Sequence, residues 1–281
     1  MGLRTQIAQT IASMVLANPK THRAVLDLFV ARGTMFFRDL DDHSVVFFPN
    51  DVIGRELART GAFARQSVSD LRAKLEEHGV FQTGMTVLEV GANIGSHTIY
   101  FFRDLECGKV IALEPDPQNL RLLQHNMVLN GLSEKVTALA LAASDMPGTA
   151  LFTRDLINRG GSHLGGNAKT GAATETFSVE VVSIDALLTS IRQDPAQIGL
   201  IWMDVEGHEL SALKGMKDLI GRNSPPIFLE HSPSGDDNRM QELRSLLFDA
   251  YEHVYVYSNG FRPLSADDFR GISHQVDLLA L

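Results

Sequence analysis

The run TVLEVGANIGSHT, residues 86–98, constrains the fold of this chain more than any other segment. Apolar residues before Gly91 predict a buried strand, the glycines predict a tight turn, and the residues after Gly95 predict a helix. A second predicted strand, 110–113, ends in Glu114, nineteen positions after Gly95. In open α/β sheets the backbone of such a turn approaches a nucleoside, and an acid at this spacing accepts ribose hydroxyl groups. The segment therefore predicts a site for a nucleoside-containing cofactor.

Strands and helices alternate along the chain from Met85 onward. This alternation predicts an α/β fold with a Rossmann-like, doubly wound, mostly parallel sheet and an antiparallel edge. We expect residues 1–60 to form an N-terminal helical cap segment and residues 61–281 to form the α/β domain. Residues 158–176 lack periodicity and are predicted to form an irregular active-site loop. The predicted strands are 45–48, 87–90, 110–113, 136–141, 149–153, 177–182, 200–203, 227–229, 254–257 and 276–279, and the predicted helices lie in 3–32, 67–78, 96–105, 117–130, 210–220 and 239–251.

Composition narrows the classes of partner and compartment. The formal net charge of −9 argues against general nucleic-acid binding, because a phosphate backbone requires basic neutralisation. Cys107 is the single cysteine, which excludes a disulfide framework and a cysteine metal cluster. No stretch reaches the roughly 18 apolar residues that span a bilayer, and the N-terminus makes a poor signal peptide. We expect a cytoplasmic protein without a membrane span, whose N-terminal helices either cap the domain or join copies in a homo-oligomer.

The glycine turn discriminates between cofactors. A dinucleotide fingerprint reads Gly-x-Gly-x-x-Gly, but Asn93 stands at the middle glycine and no third glycine follows Gly95 at the usual distance. An NAD-dependent oxidoreductase needs that spacing, so it is the less favoured alternative. S-adenosylmethionine carries an ammonium, a carboxylate and a sulfonium, so Glu89 suits its positive groups and the amides of the turn suit its carboxylate.

The predicted strand 136–141 ends near Ser144 and Asp145. Either side chain suits the adenine amino group, although Ser-Asp is also a common pair of turn residues. Pro115 caps the turn after the ribose acid. The predicted cofactor-binding residues are Glu89, Gly91, Asn93, Gly95, Thr98, Glu114, Pro115, Ser144, Asp145 and Asp204.

Acids also follow the predicted strands 200–203 and 227–229, at the edge where ligands bind in open α/β sheets. Asp204 and Glu206 follow strand 200–203 and predict a general base or oxygen ligands for a divalent cation. Glu206 equally suits a helix N-terminus, where the dipole favours acids. Glu230 and His231 follow strand 227–229 and predict an acid–base pair, although His231 also suits a structural role. The predicted catalytic residues are Asp204, Glu206, His231 and Glu230, and the predicted cation ligands are Asp204, Glu206 and Glu230.

Together these motifs resemble the FkbM family of S-adenosylmethionine-dependent methyltransferases. The resemblance covers roughly residues 60–232, and its most specific part is the run MDVEGHEL followed by LKG. The loop beginning at Asn158 is similar as well. The other segments that carry the resemblance are LEVGANIGSHT at 88–98, ALEPD at 112–116, LAASD at 141–145 and VSIDAL at 182–187.

The resemblance implies a class I methyltransferase fold and in-line transfer of a methyl group to an oxygen. The acceptor it implies is a hydroxyl on a sugar, a glycan or a secondary metabolite, a small molecule in most cases. N- or C-methylation of a peptide stays open as an alternative. So does a non-catalytic binding protein that kept the methyltransferase fold. A nucleic-acid methyltransferase fits the acidic balance poorly.

Overall fold

A computed structural model of the protein describes Lys20 and residues 34–156, 158–166, 173–233 and 236–281. Apart from Lys20, the helices predicted in 3–32, and any contact between copies that they make, lie outside the described residues. The described helices are α1 Val52–Thr60, α2 Arg65–Glu77, α3 Ser96–Arg103, α4 Pro117–Leu129, α5 Ile184–Ser190, α6 Glu209–Lys214, α7 Lys217–Asn223, α8 Asp237–Ala250 and α9 Ala266–Phe269. None of them is long and apolar enough to cross a membrane.

The described strands form three sheets. They are β1 Phe36–Asp39, β2 Ser44–Phe47, β3 Thr86–Val90, β4 Lys109–Leu113, β5 Val136–Leu139, β6 Ala142–Ala143, β7 Gly148–Asp155, β8 His163–Leu164, β9 Thr174–Val182, β10 Ile198–Met203, β11 Ile227–His231, β12 Val254–Tyr257, β13 Phe261–Pro263 and β14 Val276–Ala280. The hairpin β1–β2 forms one sheet, and β6–β9–β7–β8 form a second.

The main sheet has eight strands in the order β13–β12–β14–β11–β10–β3–β4–β5. Strands β5, β4, β3, β10 and β11 are parallel, whereas β14 runs antiparallel to both of its neighbours. The chain builds outward from β3 through β4 to β5, and then returns to the other side of β3 with β10. Ligands bind outside the carboxyl ends of the strands at such a reversal. The predicted Rossmann-like, doubly wound α/β fold with an antiparallel edge is confirmed.

Helices cover both faces of this sheet, which explains why β3 is buried along its whole length. Val87 points into a core with Leu71 of α2 and Tyr100 of α3. The next residue, Leu88, points into the opposite core, which contains Leu213 of α6. Because neighbouring side chains of a strand face opposite ways, a central parallel strand must be apolar on both sides. The continuous apolar run in the sequence therefore marks the centre of the sheet.

Residues 36–47 of the predicted N-terminal cap segment form a hairpin. Predicted strand 45–48 is present as β2, and β1 pairs with it antiparallel. Asn126 of α4 binds both backbone groups of Val46, accepting from its N–H at 2.7 Å and donating to its carbonyl at 3.1 Å. The Nδ2 of Asn130 donates in the same way to the carbonyl of Ser44 at 2.7 Å. The described part of the segment is thus fastened to the α/β domain.

Two other elements differ from the prediction. The single helix predicted over 210–220 is the pair α6 and α7, which are separated at Gly215. A Cβ at Gly215 would lie 2.0 Å from the carbonyl oxygen of Ser144, so close packing fixes the break. The predicted irregular loop 158–176 contains a short 3₁₀ turn, Arg159–Gly161, and strand β8, which pairs with β7. Residues 167–172 of that loop lie outside the described residues.

Candidate active site

The glycine turn after β3 touches the end of β10 directly. Gly91 has a φ of +90°, and a Cβ there would lie 1.8 Å from the carbonyl oxygen of Asp204. The N–H of Asp204 donates to the carbonyl of Val90 at 2.9 Å, so a hydrogen bond joins the two strand ends beside this contact. Gly91 is therefore needed for packing between two strands as well as for approach to a ligand.

The buried acid at the end of β4 is held by backbone amides. Glu114 is 4% exposed, and its carboxylate accepts from the N–H groups of Asn93 and Asp116, each at 2.8 Å. Burial raises the pKa of Glu114 to about 8, while the two amide bonds act in the opposite direction. The side chain of Asn119 also donates to Glu114. A carboxylate has about four acceptor positions, so Glu114 keeps a position for one further donor. The glycine turn and the predicted ribose acid are thus one hydrogen-bonded unit.

A cavity with about 560 Å³ of empty space opens beside this unit, and we call it the Glu114 cavity. Its size and mixed lining fit a small-molecule site. Its polar wall includes Asn93, Glu114, Asn119 and Asp204. Asn119 is 2% exposed, and its Oδ1 is buried without a hydrogen-bond partner. The apolar lining residues are Val90, Leu113, Pro115, Leu141, Ala142, Ala143, Phe152, Leu164 and Val205.

Three of the predicted cofactor residues lie beneath the turn instead of lining this cavity. Glu89 is 1% exposed, and its Oε2 accepts from the hydroxyl of Thr98 at 2.5 Å. Burial raises the pKa of Glu89 to about 8, and the charge of Glu114 adds to the effect. Gly95 begins α3 with a φ of +82° and packs against Leu123. These residues shape the turn from below.

The structure corrects the predicted position of Ser144 and Asp145. Neither residue lines the Glu114 cavity, whereas Ala142 and Ala143 just before them do. The hydroxyl of Ser144 lies 3.1 Å from an oxygen of Asp145 and 3.1 Å from the Nε2 of His208. Since β6 pairs with β9 of the small sheet, the chain leaves the main sheet before these two residues. The wall expected from Ser144 and Asp145 is instead apolar.

A second cavity, with about 790 Å³ of empty space, begins where the first ends, and we call it the Glu230 cavity. Asp204 and Gly160 line both cavities. The carboxylates of Asp204, Glu206 and Glu230 each offer one oxygen, and these three atoms lie within 4.8 Å of one another. The three acids that the sequence predicted at two strand ends are therefore brought together.

The acids of the Glu230 cavity perturb one another. Burial raises the pKa of Asp204 well above its usual range, and the charges of Glu230 and Glu206 raise it further. Burial, followed by the charges of Glu206 and Asp277, raises the pKa of Glu230 to about 7. Like charges at short distance oppose ionisation, which adds to the effect of burial on the pKa values of Asp204 and Glu230. Perturbed acids in a cleft are typical of functional sites.

Glu206 reaches this cluster from a strained turn. Its φ is +42°, a left-handed conformation that is uncommon outside glycine, and Gly207 follows with a φ of +82°. The alternative, an acid at a helix N-terminus, belongs instead to Glu209, which begins α6 and accepts from the N–H of Gly207 at 2.7 Å. Backbone strain concentrates at functional sites, where the surrounding structure maintains it.

Aromatic rings line the Glu230 cavity beside the acids. Trp202 and Phe228 stack with centroids 4.2 Å apart and an interplanar angle of 19°. His97 lies 4.7 Å from Trp202, and burial lowers the pKa of His97 to about 4, so its ring is neutral. Phe63 completes the wall at 6.1 Å from His97. The described residues that line the Glu230 cavity include four carboxylates and no Lys or Arg.

The structure contradicts the acid–base pair predicted from Glu230 and His231. Consecutive residues of β11 point to opposite faces of the sheet, so only Glu230 enters the cavity. His231 is 2% exposed and stacks on Phe269, with centroids 5.5 Å apart. Burial lowers the pKa of His231 to about 4, and neither ring nitrogen has a hydrogen-bond partner. His231 is a core residue on the opposite side of the sheet.

Sequence reasoning missed three residues at these cavities. Asp277 lies directly opposite Glu230 in the register of β11 and β14 and lines the Glu230 cavity. The alternation of β14 could have indicated which of its residues share a face, but not the register with β11. Asn119 lies five positions after Glu114, in the first turn of α4. This spacing could have indicated that its side chain lies near Glu114. Arg159 stood inside the segment predicted as an irregular loop.

Sequence comparison identifies the family of the chain. The family model described as "Methyltransferase FkbM domain" matches residues 89–262. The chain belongs to the FkbM methyltransferase family. That match spans the glycine turn, Glu114 and the acidic cluster, and it confirms the resemblance in the sequence.

Two curated fungal relatives are methyltransferases by name. "Methyltransferase 1" of Beauveria bassiana is 29% identical over 146 residues, which cover 47% of this chain and 58% of that protein. "Methyltransferase sdnD" of Sordaria araneosa is 30% identical over 156 residues, which cover 47% of this chain and 60% of that protein. The chain thus spans about three fifths of the length of each.

Two solved structures with a similar arrangement carry the name methyltransferase in their titles. The methyltransferase FkbM of Methylobacillus flagellatus KT matches with a TM-score of 0.46 and 17% identity, over 82% of this chain and 60% of that one. The O-methyltransferase of Bacillus cereus, solved in complex with SAH, matches with a TM-score of 0.42 and 14% identity, over 82% and 89% of the two chains.

Proposed function

We propose that this protein transfers a methyl group from S-adenosylmethionine to a hydroxyl group of a small-molecule or glycan acceptor. The observation that carries the proposal is the meeting of two different cavities at Asp204. One has the chemistry of a nucleoside site, and the other combines an aromatic wall with a cluster of acids. Membership of the FkbM family supports the same reaction class.

The residues of the Glu114 cavity fit S-adenosylmethionine. Glu114 keeps an acceptor position for a ribose hydroxyl group, and Asn119 Oδ1 is a buried acceptor without a partner. Buried polar atoms are almost always hydrogen-bonded, so an unpartnered acceptor in a cavity wall supports a polar ligand there. We assign the adenine ring to the apolar wall at Leu141 and Ala142, which takes the place of the sequence assignment to Ser144 and Asp145.

When bound, S-adenosylmethionine supplies an electrophilic methyl group on its sulfonium. The chain supplies proximity and a proton acceptor. Asp204 stands at the junction of the cavities, where it takes the proton of the acceptor hydroxyl. A general base works best when its pKa lies near the working pH. Burial and the charge of Glu230 raise the pKa of Asp204 in that direction. Glu206 and Glu230 orient the acceptor and share the proton within the cluster.

The lining of the Glu230 cavity supports a neutral acceptor with several hydroxyl groups. Carboxylates accept hydrogen bonds from hydroxyl groups, and the stacked rings of Trp202 and Phe228 offer a flat apolar surface. Four acids without a basic residue in the described lining oppose acceptors that carry a phosphate or carboxylate. A neutral sugar, glycan or hydroxylated metabolite meets both conditions, and a peptide nitrogen is the alternative.

The acidic cluster also suits a divalent cation, which would lower the pKa of an acceptor hydroxyl in place of a general base. Hard cations such as Mg²⁺ prefer carboxylate oxygens, and three such oxygens lie within 4.8 Å of one another here. Asp204, Glu206 and Glu230 would hold the ion. Activity that is lost with a chelator and restored by Mg²⁺ would establish this role.

The test is a methyl-transfer screen from labelled S-adenosylmethionine to glycan, polyketide and peptide acceptors, run with and without chelator. With an acceptor in hand, we expect Asp204→Asn to lower turnover by about 100-fold or more while it retains cofactor affinity. Asp249→Asn, an exposed acid on α8, is the matched control and should match the wild type. Unchanged turnover in Asp204→Asn would refute its role as base or cation ligand.

A further inference from the structure

Arg159 is a charged residue that lines the Glu114 cavity and has no role in the proposed methyl transfer. It begins the 3₁₀ turn that follows β7 and lines the cavity together with Gly160. Its guanidinium lies over the ring of Phe48, 4.1 Å from the centroid. This contact involves the face of the guanidinium and therefore satisfies none of the N–H groups at its edge.

Two of its nitrogens are buried donors without a partner. Neither Nε nor Nη1 of Arg159 makes a hydrogen bond, although both atoms are inaccessible to solvent. Buried N–H groups of a charged side chain are costly when unpaired, so such an arrangement calls for an acceptor.

The neighbouring arginine shows what a satisfied guanidinium looks like in this fold. Arg154 donates from Nε and Nη2 to the two oxygens of Asp116, at 2.5 and 2.6 Å. Three acids lie near Arg159. Asp116 also accepts from Gln118, Asp51 accepts from the N–H of Gly54, and Glu175 accepts from Nη1 of Arg154. The nearby acids are thus already engaged.

We infer that Arg159 binds the carboxylate of the methionine part of S-adenosylmethionine. This inference rests on the proposed function. The cofactor has a single anionic group, and a carboxylate accepts strong, charge-assisted hydrogen bonds from a guanidinium. Arg159 lines the Glu114 cavity and does not line the Glu230 cavity, so its partner is the cofactor and not the acceptor.

The test compares the binding of S-adenosylmethionine with that of its decarboxylated form, measured by calorimetry. The decarboxylated form keeps the adenosine, the sulfonium and the amine, and lacks only the carboxylate. We expect Arg159→Gln to weaken the binding of S-adenosylmethionine by about tenfold to a hundredfold, and to leave the decarboxylated form unchanged or bound more tightly. Arg121→Gln, an exposed arginine of α4, is the matched control and should change neither.

The outcomes separate this inference from its rivals. Equal weakening of both ligands would mean that Arg159 supports the adenosine or the fold, and would overturn the inference. So would unchanged binding of both. The comparison of the two ligands on the wild type does not depend on the folding of a variant. If the wild type bound both forms equally, the inference would be overturned but the proposed function would not. A wild type that binds neither form would overturn the proposed function and the inference with it.

Discussion

Gly91→Ala tests the contact between the glycine turn and the acidic strand end. An alanine Cβ would lie 1.8 Å from the carbonyl oxygen of Asp204, and real Cβ contacts essentially never fall below 3.0 Å. The obstructing atom is backbone, held in place because the Asp204 N–H donates to Val90. The turn and β10 must therefore separate by roughly 1 Å, which moves Asp204 away from the junction of the cavities.

The expected cost has two parts, and a second glycine isolates one of them. A left-handed conformation costs an alanine about 1–2 kcal/mol, and overpacking adds about 1–3 kcal/mol. Gly131 also has a positive φ, +68°, but a Cβ there meets nothing within 4 Å. Gly131→Ala should therefore lower the free energy of unfolding by about 1–2 kcal/mol, and Gly91→Ala by about 2–5 kcal/mol.

Urea unfolding of the two variants, followed by cofactor titration, measures both effects. Only Gly91→Ala should also weaken S-adenosylmethionine binding and lower turnover, the latter by about 100-fold for a displacement of this size. The reasoning would be refuted if Gly91→Ala were as stable as Gly131→Ala, or if it bound the cofactor like the wild type.

Two further predictions concern groups that are buried away from solvent. Unfolded Glu89 ionises near pH 4.5, whereas burial holds its folded pKa at about 8, so its contribution to stability falls as the pH rises between these values. Glu89→Gln should remove up to about 1.4 kcal/mol per pH unit of that slope, as urea titrations at pH 6 and 8 would measure, and an unchanged slope would contradict the assignment. His231→Leu should keep cofactor affinity and turnover, because the ring lies on the far side of the sheet with unpartnered nitrogens; a large loss of turnover in the same assay would restore His231 to the site.

The sequence predicted those parts of the fold that depend on neighbouring residues. The apolar run before Gly91 identified the central strand, and the spacing from Gly95 to Glu114 identified an acid that is hydrogen-bonded to the turn. Asp204 and Glu230 were predicted together because the carboxyl ends of parallel strands meet at one edge. These inferences need only strand direction and chain order, both of which local patterns supply.

Other features depend on register and packing, which local patterns do not determine. Asp277 faces Glu230 because of the antiparallel register of β14, which nothing in the sequence of β14 sets. His231 was misassigned because a pair of functional residue types hides the alternation of a strand. Ser144 and Asp145 fell outside the cavity because β6 turns toward the small sheet.

The most direct test of the central claim is a calorimetric titration of S-adenosylmethionine into the wild type and Glu114→Gln. The substitution keeps the shape of the side chain but replaces one acceptor oxygen with an amide donor, and Glu134→Gln, at an exposed glutamate, is the matched control. The account predicts saturable binding to the wild type and to the control, with affinity weakened about tenfold or more in Glu114→Gln. Equal affinities in all three proteins, or no binding to the wild type, would contradict it.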